Sequence, residues 1–574
     1  MTLDRITLEV IGASLLTVAE EMGAALIRAS YSTNIKERRD CSTAIFDARG
    51  SVIAQAEHIP MHLGSLLGTV EEILRRYPAS ALHPGDMFIV NDPYAGGGTH
   101  LPDINLVAPV FAGERLFGFA ANIAHHADRT SERIRTIWDE GLRIPPIRLI
   151  ESGRLREDVM ELLLANFAVP GERQGDFRAQ IAVNRLGERR LGELIARWGA
   201  DTVRAACDEL LAYGERKIRA AIAAVPDGVY RFVDHMDDDG VGDEPIPIAV
   251  SVAVAGDTLH LDFSGSGPES RGDLNVVKGA LLATVYYAVK AILDPTIPAN
   301  GGFYRAITVD APEGTIVNAR PPAPVGWRTQ TCQRIADAIF GALAQALPDR
   351  VPAAGNGANA AMVFSGVDPA RGRYYVYLET IGGGAGATPR ADGQDGVQVH
   401  VTNTSNLPVE CLEMEYPLFV EEYALVDNSG GAGRWRGGMG IRRTIEVLNH
   451  EASFLGSLDR ARLTPWGLAG GEPGGRGAIV INPGGADERT LPSKVWGFRL
   501  APGDRASIVT PGAGGWGPPA QRPTALVQAD IDDGVVTQER TREGPTSTSS
   551  DEQPRSSAGF RRRNPAVGGG AEGA

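Results

Sequence analysis

The chain has 574 residues, a formal net charge of −15, a hydrophobic share of 43% and a charged share of 22%. This length is too great for one hydrophobic core and predicts about two to four domains. The acidic charge excludes a general nucleic-acid or anionic-membrane binder, because such binding depends on basic side chains that neutralise phosphate. The 4 cysteines form no C-x-x-C pair, which argues against a disulfide framework or a thiolate zinc site and fits a cytoplasmic protein.

The N-terminal residues predict a helix followed by a short hairpin. Apolar residues recur at three- and four-residue spacing over residues 6–30, which is typical of an amphipathic helix. Residues 42–46 and 51–55 flank an Asp-Ala-Arg-Gly turn and predict two antiparallel strands. The N-terminus lacks the pattern of a secretion signal, and no apolar segment approaches the roughly 18 residues that a membrane span needs. We therefore expect no membrane contact.

A second hairpin is predicted further along the chain. Residues 104–111 and 116–123 are apolar, β-favouring runs separated only by Ala-Gly-Glu-Arg. A turn centred on this loop places Asp103 opposite Ala124. Directly opposed residues have Cβ atoms about 5 Å apart, so the open end of the hairpin brings distant residues together.

This open end is a candidate metal site. His100 lies just before one strand, Asp103 starts it, and His125 and His126 follow the other strand. The alternative is structural, since a histidine followed by an aspartate is common at turns for backbone reasons. Closure of the hairpin favours a site that holds one divalent cation with one of the paired histidines. Imidazoles and carboxylates together suit Zn²⁺, Mn²⁺ or Fe²⁺, and the sequence does not choose among them.

Three further polar residues precede the hairpin. His58 and His62 flank an Ile-Pro-Met segment and are either pocket residues or structural hydrogen-bonding groups. Asp40 follows two arginines and, taken by itself, is a solvated or arginine-paired acid.

The rest of the chain changes from helices to strands at residues 226–228. The predicted helices are 157–167, 179–225, 275–293 and 330–347, and the predicted strands are 230–234, 248–255 and 258–263. The glycine run 382–386 lacks a G-K-[ST] motif and a following helix, so a structural turn is favoured over a phosphate-binding loop. The sequence carries no nucleotide-binding motif.

The predicted fold class is α+β with several domains. An N-terminal α/β region with a helical segment occupies residues 1–227 and carries the metal site. A strand- and glycine-rich α+β domain follows at 228–520, then a C-terminal extension at 521–545 with helical potential. Residues 546–574 are polar and of low complexity, and we expect them to be disordered.

Several segments resemble one known family. They include R-R-D-C-S-T-A-I-F-D-A-R-G, N-D-P-Y-A-G-G-G-T-H-L-P-D, N-I-A-H-H-A-D, N-T-S-N-L-P-V-E and T-P-G-A-G-G-W-G. In this order they resemble the hydantoinase B and oxoprolinase family, which also contains the large subunits of acetone and acetophenone carboxylases. The resemblance runs from about Arg5 to about Arg540, nearly the whole chain.

The resemblance implies a ligand set and a partner. The metal would be held by Asp40, His100, Asp103 and a histidine of the His125–His126 pair, and only the resemblance makes Asp40 a ligand candidate. A partner subunit of the hydantoinase A type would bind ATP and phosphorylate the substrate carbonyl or its enol, giving a hetero-oligomer. The lack of a nucleotide motif in this chain agrees with that division.

The function implied is that of a metal-dependent subunit of an ATP-dependent hydrolase that opens a hydantoin, 5-oxoproline or another lactam. With His125 as the ligand, His126 is either an alternative ligand or a residue that orients one, and His58 and His62 are candidates in the pocket. A ketone carboxylase subunit and a non-catalytic scaffold are the alternatives. Residues 129–133 replace a glycine-rich loop usual in relatives, which leaves open a substrate of a different kind from the familiar ones.

Overall fold

The first part of the chain folds around one antiparallel sheet. The structure is a computed structural model that describes residues 3–56, 58–126, 132–539 and 560–561. The elements of this part are α1 (Arg5–Ala29), α2 (Thr33–Lys36), β1 (Cys41–Asp47), β2 (Val52–Gln55), α3 (Pro60–Ser65), α4 (Leu67–Arg76), β3 (Met87–Val90), β4 (Asp103–Ala112), β5 (Arg115–His125), β6 (Ile147–Glu151), β7 (Arg154–Leu155), α5 (Glu157–Leu164), α6 (Pro170–Trp198) and α7 (Ala200–Ala223). The strand order is β2-β1-β5-β4-β3-β6-β7.

Both predicted hairpins are present, as β1–β2 and β4–β5. The register of the second differs from the prediction by one residue. Asp103 pairs with His125 instead of Ala124, because a β-bulge between Val110 and Phe111 gives β5 one extra residue. Since β1 and β4 both run antiparallel to β5, the start of β1, the end of β5 and the start of β4 meet at one edge of the sheet.

Helices cover both faces of this sheet. On one face α1, α6 and α7 bury a cluster that includes Leu15, Met22 and Ile45. On the other face α4 packs through Val70 and Ile73. The alternating apolar residues of the strands therefore contact helices on either side, which explains why β1 is buried almost throughout.

Helix α1 is more apolar than the sequence analysis allowed. Its 25 residues and a mean hydropathy of 1.6 would permit it to cross a membrane. The expectation that no apolar segment is long enough for a membrane span is therefore wrong for this helix. Length and composition are weak evidence, because a core helix of a folded domain passes the same test. Ile11, Leu15 and Met22 face the sheet and α6, as expected of a helix that packs against the protein.

The second part of the chain contains three further sheets. Its elements are β8 (Gly228–Met236), β9 (Ile246–Ala255), β10 (Thr258–Asp262), α8 (Lys278–Leu293), α9 (Gly301–Tyr304), β11 (Ile307–Asp310), α10 (Arg328–Leu343), β12 (Ala360–Asp368), β13 (Arg373–Ile381), α11 (Val409–Glu415), β14 (Leu418–Leu425), β15 (Ile441–Val447), β16 (Ala452–Ser457), β17 (Ala478–Ile481), β18 (Arg489–Leu491), β19 (Lys494–Leu500), β20 (Arg505–Val509), α12 (Thr524–Asp532) and β21 (Phe560–Arg561). The sheets have the orders β11-β10-β9-β8, β13-β12-β16-β19 and β18-β17-β20-β15-β14-β21. The α+β, multi-domain class is confirmed.

Helix α10 joins the two parts of the chain. Nearly all of its residues are buried, and it packs with α8 against β8 and β9. The same hydrophobic cluster includes Met61 and Leu101 from the first part of the chain, so the start of α10 lies against the edge of the first sheet. The predicted tail, residues 546–574, lies outside the described residues except for Phe560–Arg561, which pair with β14.

The glycine run 382–386 is a tightly packed irregular segment with a β-bridge between Gly383 and Val397, not a turn. The backbone N–H groups of Gly383, Gly384 and Ala385 donate to carbonyl groups of Val397, Pro511 and Gln394 at 2.9, 3.2 and 2.9 Å. These groups are therefore unavailable to a phosphate. The prediction of a structural role is therefore confirmed, whereas the predicted turn is wrong because the run pairs with neighbouring backbone segments.

Candidate metal centre

Three donor atoms converge at the edge of the first sheet. Nε2 of His100 lies 3.0 Å from Oδ1 of Asp103 and 3.1 Å from Nδ1 of His125. The same Asp103 oxygen lies 3.1 Å from Nδ1 of His125. All three side chains are buried. The one-residue change in register caused by the bulge is what sets His125 directly opposite Asp103.

These separations fit a metal ion. Nitrogen and oxygen donors bound to zinc at about 2.0–2.1 Å in a tetrahedron are roughly 3.3 Å apart. Three donors within 3.1 Å of one another form a group that a divalent cation would hold together. Without a cation, the two imidazole nitrogens and the carboxylate oxygen are held together only by hydrogen bonds through the protons on the imidazoles.

Both ring nitrogens of His100 face hydrogen-bond acceptors. Its Nδ1 lies 3.3 Å from the carbonyl oxygen of Gly326, to which it can donate a hydrogen bond whenever Nε2 holds a metal ion. In that tautomer the lone pair of Nε2 is directed at the space between Asp103 and His125, where a cation would lie. Burial, together with the charge of Arg328, holds the pKa of His100 well below its usual value, which keeps the imidazole neutral as a metal ligand must be.

The loop before His100 depends on glycine. Gly98 has φ +112°, and a side chain at Gly97 would collide with Val90 and with the backbone of Asp92. The chain can therefore turn sharply after β3 and bring Thr99 and His100 back to the start of β4.

Arg328 is a member of this site that the sequence analysis missed. It lies at the start of α10, and its Nη2 donates to Oδ2 of Asp103 at 2.7 Å while its Nε donates to Oγ1 of Thr99 at 2.7 Å. Burial opposes ionisation of Asp103, but His100 and the Arg328 guanidinium more than offset it and hold the pKa of Asp103 well below its usual value. Oδ2 is thus occupied, and Oδ1 is left facing the two imidazoles.

Asp40 and His62 lie beside the three converging donors. Nε2 of His62 is 3.6 Å from Oδ1 of Asp40 and 3.6 Å from Oδ1 of Asp103. Asp40 immediately precedes β1, and its carbonyl accepts from the backbone N–H of His125 at 3.0 Å. The tight group within the described residues is His100, Asp103 and His125, with Asp40 placed next to it across His62.

His126 points away from the centre. Its Nε2 lies 2.9 Å from Oε1 of Gln180, and its ring stacks on Phe177 with centroids 4.7 Å apart. Burial, with a contribution from the charge of Arg173, lowers the pKa of His126 to about 4. Of the paired histidines, His125 is the one that faces Asp103.

His58 also lies apart from the three donors. It lines a cavity between α1, α7 and α8. Burial, with the proximity of His62, lowers the pKa of His58 to about 4, so its imidazole is neutral near pH 7.

Known proteins share this sequence and fold. Residues 4–519 match the family described as hydantoinase B/oxoprolinase. A Pseudomonas protein that is named, provisionally, as the B component of a D-/L-hydantoinase is 34% identical over 561 residues, covering 94% of this chain and 94% of that protein.

Two solved structures share the fold. The crystal structure of the ATP-dependent caprolactamase from Pseudomonas jessenii has a TM-score of 0.87 and 32% identity, covering 94% of this chain and 96% of that one. An acetone carboxylase in a nucleotide-free structure has a TM-score of 0.86 at 18% identity, covering 94% and 79% of the two chains, which shows the fold alone. The chain belongs to the hydantoinase B/oxoprolinase family.

Proposed function

We propose that the chain is the metal-dependent hydrolytic subunit of an ATP-dependent cyclic amidohydrolase. The observation that carries this proposal is the convergence of His100, Asp103 and His125, whose donor atoms lie 3.0–3.1 Å apart in a buried site. A relative of similar length is an ATP-dependent caprolactamase, an enzyme that acts on a cyclic amide. The substrate proposed here is a hydantoin, 5-oxoproline or another lactam.

The proposed ligand set is Asp40, His100, Asp103 and His125. A divalent ion held there, Zn²⁺ or Mn²⁺ or else Fe²⁺, would lower the pKa of a water molecule toward neutrality and stabilise the oxyanion that forms on attack at the carbonyl. Asp40 is the ligand with the weakest geometric support, because it lies next to His62 and outside the group of three converging donors. Its inclusion rests on the family resemblance together with its position at the same sheet edge.

The residues around the centre have separate roles in this proposal. Arg328 and Thr99 donate hydrogen bonds to Oδ2 of Asp103. These bonds orient the carboxylate so that Oδ1 faces His100 and His125. His62 has its Nε2 3.6 Å from the carboxylates of Asp40 and Asp103, where it can hold or transfer a proton during ring opening. His126 holds the end of β5 in place and makes no contact with the reacting group.

A hydantoinase A-type subunit is the proposed partner, and it would use ATP to phosphorylate the substrate. An unactivated amide carbonyl is a poor electrophile, and phosphorylation of its oxygen creates a good leaving group. The name of the caprolactamase beta subunit indicates such a two-subunit enzyme in that relative, where the sequences are 34% identical. Carboxylation of a ketone is the second candidate, and only the fold-level likeness to acetone carboxylase favours it.

The test is a reconstituted complex that contains either the parent chain or a His100→Ala variant. We expect His100→Ala to lose the metal and ring opening while ATP cleavage by the partner persists. His260→Ala is the matched control, because this histidine pairs with Asp310 at the surface of β10 and should change neither activity. Phosphate release, ring-opened product, metal content and melting temperature are measured on the same preparations.

The alternatives give different results. If His100 is only structural, both activities and the melting temperature fall together. If the chain is a scaffold, washed protein contains no metal. A folded, assembled His100→Ala variant that opens the ring at the parent rate would contradict the proposed function.

A further inference from the structure

Strand β14 lies at the edge of the six-stranded sheet. Its inner neighbour is β15, and the only strand that the described residues place on its outer side is β21, which pairs with it at two positions. Since β14 has 8 residues, most of this edge has no strand beside it within the described part of the chain. An open edge offers backbone N–H and C=O groups to any extended segment nearby, including one from another protein molecule.

Glu422 is a buried acid on this edge strand. The residue is 5% exposed, and its Oε1 has no hydrogen-bond partner among the described residues. Two arginines of the same sheet pair with other acids: Arg505 lies 3.0 Å from Glu421, and Arg443 lies 2.6 Å from Glu379. A buried carboxylate oxygen without a partner is costly, so this position favours a cationic donor from another segment.

The register of β21 places a residue of that kind beside it. Arg561 is the antiparallel partner of Glu422, and Phe560 is the partner of Tyr423. Directly opposed residues in such a pair have Cβ atoms about 5 Å apart, which is within reach of an ion pair between long side chains. Tyr423 is 38% exposed, so a paired strand also has an aromatic surface to cover.

The sequence around β21 suits an acidic edge. Residues 555–564 read R-S-S-A-G-F-R-R-R-N, which contains four arginines and no acid, in a chain whose net charge is −15. Pro554 and Pro565 flank the segment. Because proline cannot donate to a β-ladder, the two prolines limit a strand to the residues between them. The segment is therefore a short basic strand that complements Glu421 and Glu422.

The chain leaves the folded protein close to the same strand. The N–H of Asn428 donates to the carbonyl of Val535 at 3.0 Å, and the N–H of Thr537 donates to Oδ1 of Asn428 at 2.9 Å. The positions from Asn428 back to Glu422 in β14 cover at most about 20 Å. Residues 540–559, which lead to Phe560, can span up to about 65 Å. The basic segment can therefore reach Glu422 of its own molecule.

We infer that the outer edge of β14 binds residues 555–564 of the same chain as an added antiparallel strand, with Arg561 as the partner of Glu422. The bound segment closes this edge of the sheet. It thereby removes a surface on which two protein molecules would otherwise pair strand to strand.

The test is hydrogen–deuterium exchange of the full-length chain, followed in peptides that contain β14. Phe560→Pro removes a backbone donor from the added strand, and Arg561→Glu places two like charges opposite each other. We expect the β14 amides that face the added strand to exchange at least about tenfold faster in both variants, because a tethered segment with an effective concentration near the millimolar range is lost. Arg542→Glu, the same charge change outside residues 555–564, is the control and should leave β14 as in the parent.

A second background tests the partner of Arg561. In Glu422→Gln protein the like charge opposite position 561 is absent, so Arg561→Glu should accelerate exchange less than it does in the parent. An equal effect in both backgrounds would overturn the pairing of Arg561 with Glu422. The three tail substitutions lie outside residues 4–519, which match the family, and the melting temperature of every variant is compared with that of the parent.

A dilution series of the parent distinguishes the two possible occupants of the edge. A segment of the same chain protects β14 equally at every protein concentration, whereas a second copy protects it only when the protein is concentrated. Protection that falls on dilution would overturn the inference. Exchange of β14 at the parent rate in both Phe560→Pro and Arg561→Glu would overturn it as well.

Discussion

Arg328 donates to Asp103 at 2.7 Å, so a residue at the start of α10 fixes a carboxylate at the start of β4. Both side chains are buried, and the guanidinium also contacts Thr99. The candidate metal centre is therefore completed by the second part of the chain. Partners that orient metal ligands in this way typically contribute about 10–100-fold to metal affinity.

Replacement of Arg328 should weaken metal binding without abolishing it. Arg328→Lys keeps the charge, but a single ammonium cannot donate to Thr99 and Asp103 in the same geometry. We expect the dissociation constant of Zn²⁺ to rise about tenfold in Arg328→Lys and further in Arg328→Met. Competition with a chromophoric chelator measures it. Arg371→Lys, an arginine whose ion pair with Glu415 is exposed, is the control. Unchanged affinity in both Arg328 variants would remove the residue from the site.

The paired histidines should behave differently on substitution. His125 faces Asp103 and His100, whereas His126 contacts Gln180 and Phe177. We expect His125→Asn to lower metal occupancy severely and to melt close to the metal-free parent protein. His126→Asn should keep its metal and lower the melting temperature, because a buried aromatic contact is lost. Metal analysis and thermal unfolding of both variants distinguish the two roles. Loss of metal in His126→Asn with full occupancy in His125→Asn would make His126 the ligand.

Gln180 on α6 should position the hairpin that carries the ligands. Its Nε2 donates to the carbonyl of Ile104 at 3.0 Å and to Asn122 at 2.8 Å, while its Oε1 contacts His126 at 2.9 Å. The side chain thus holds together the residues that follow Asp103 and His125. We expect Gln180→Leu to reduce metal affinity as well as stability, by about 1–3 kcal/mol for the unpaired buried groups. Gln528→Leu on an exposed face of α12 is the control. Loss of stability with metal affinity intact would show a purely structural role.

The β4–β5 hairpin could be predicted from the sequence, because two apolar, β-favouring runs separated by a short turn determine such an element locally. The bulge between Val110 and Phe111 has no comparable signal, so the predicted partner of Asp103 was off by one residue. The direction of His126 depends on a hydrogen bond with Gln180, 54 positions away in the chain. No local pattern encodes such a contact.

Arg328 shows the same limit more clearly. Its contact with Asp103 spans 225 positions and joins two parts of the chain. The sequence around it, a glycine and a tryptophan before an amphipathic helix, is typical of an ordinary helix start. The available signal was an arginine at the start of an apolar-rich helix, because an arginine that becomes buried needs a partner.

Glu188, which lies outside the metal centre, should make the stability of the protein depend on pH. It is partly buried on α6, and burial raises its pKa to about 7 despite the charge of Arg185. In the unfolded chain the carboxyl ionises above its ordinary value of 4.5, so folding is opposed increasingly as pH rises from about 4.5 to 7. Glu188→Gln removes the ionisation and keeps the shape. We expect it to raise the free energy of unfolding at pH 8 by on the order of 1–3 kcal/mol and to have little effect near pH 4.5.

Thermal unfolding of parent and Glu188→Gln across this range measures the difference. Glu161→Gln, an exposed position on α5, is the control and should change the melting temperature equally little at each pH. The sign is decisive, because a glutamate stabilised by an ion pair would have a lowered pKa, and its replacement would destabilise the protein at pH 8. A Glu188→Gln variant that melts below the parent at pH 8 would therefore show that the carboxylate is paired in the folded protein.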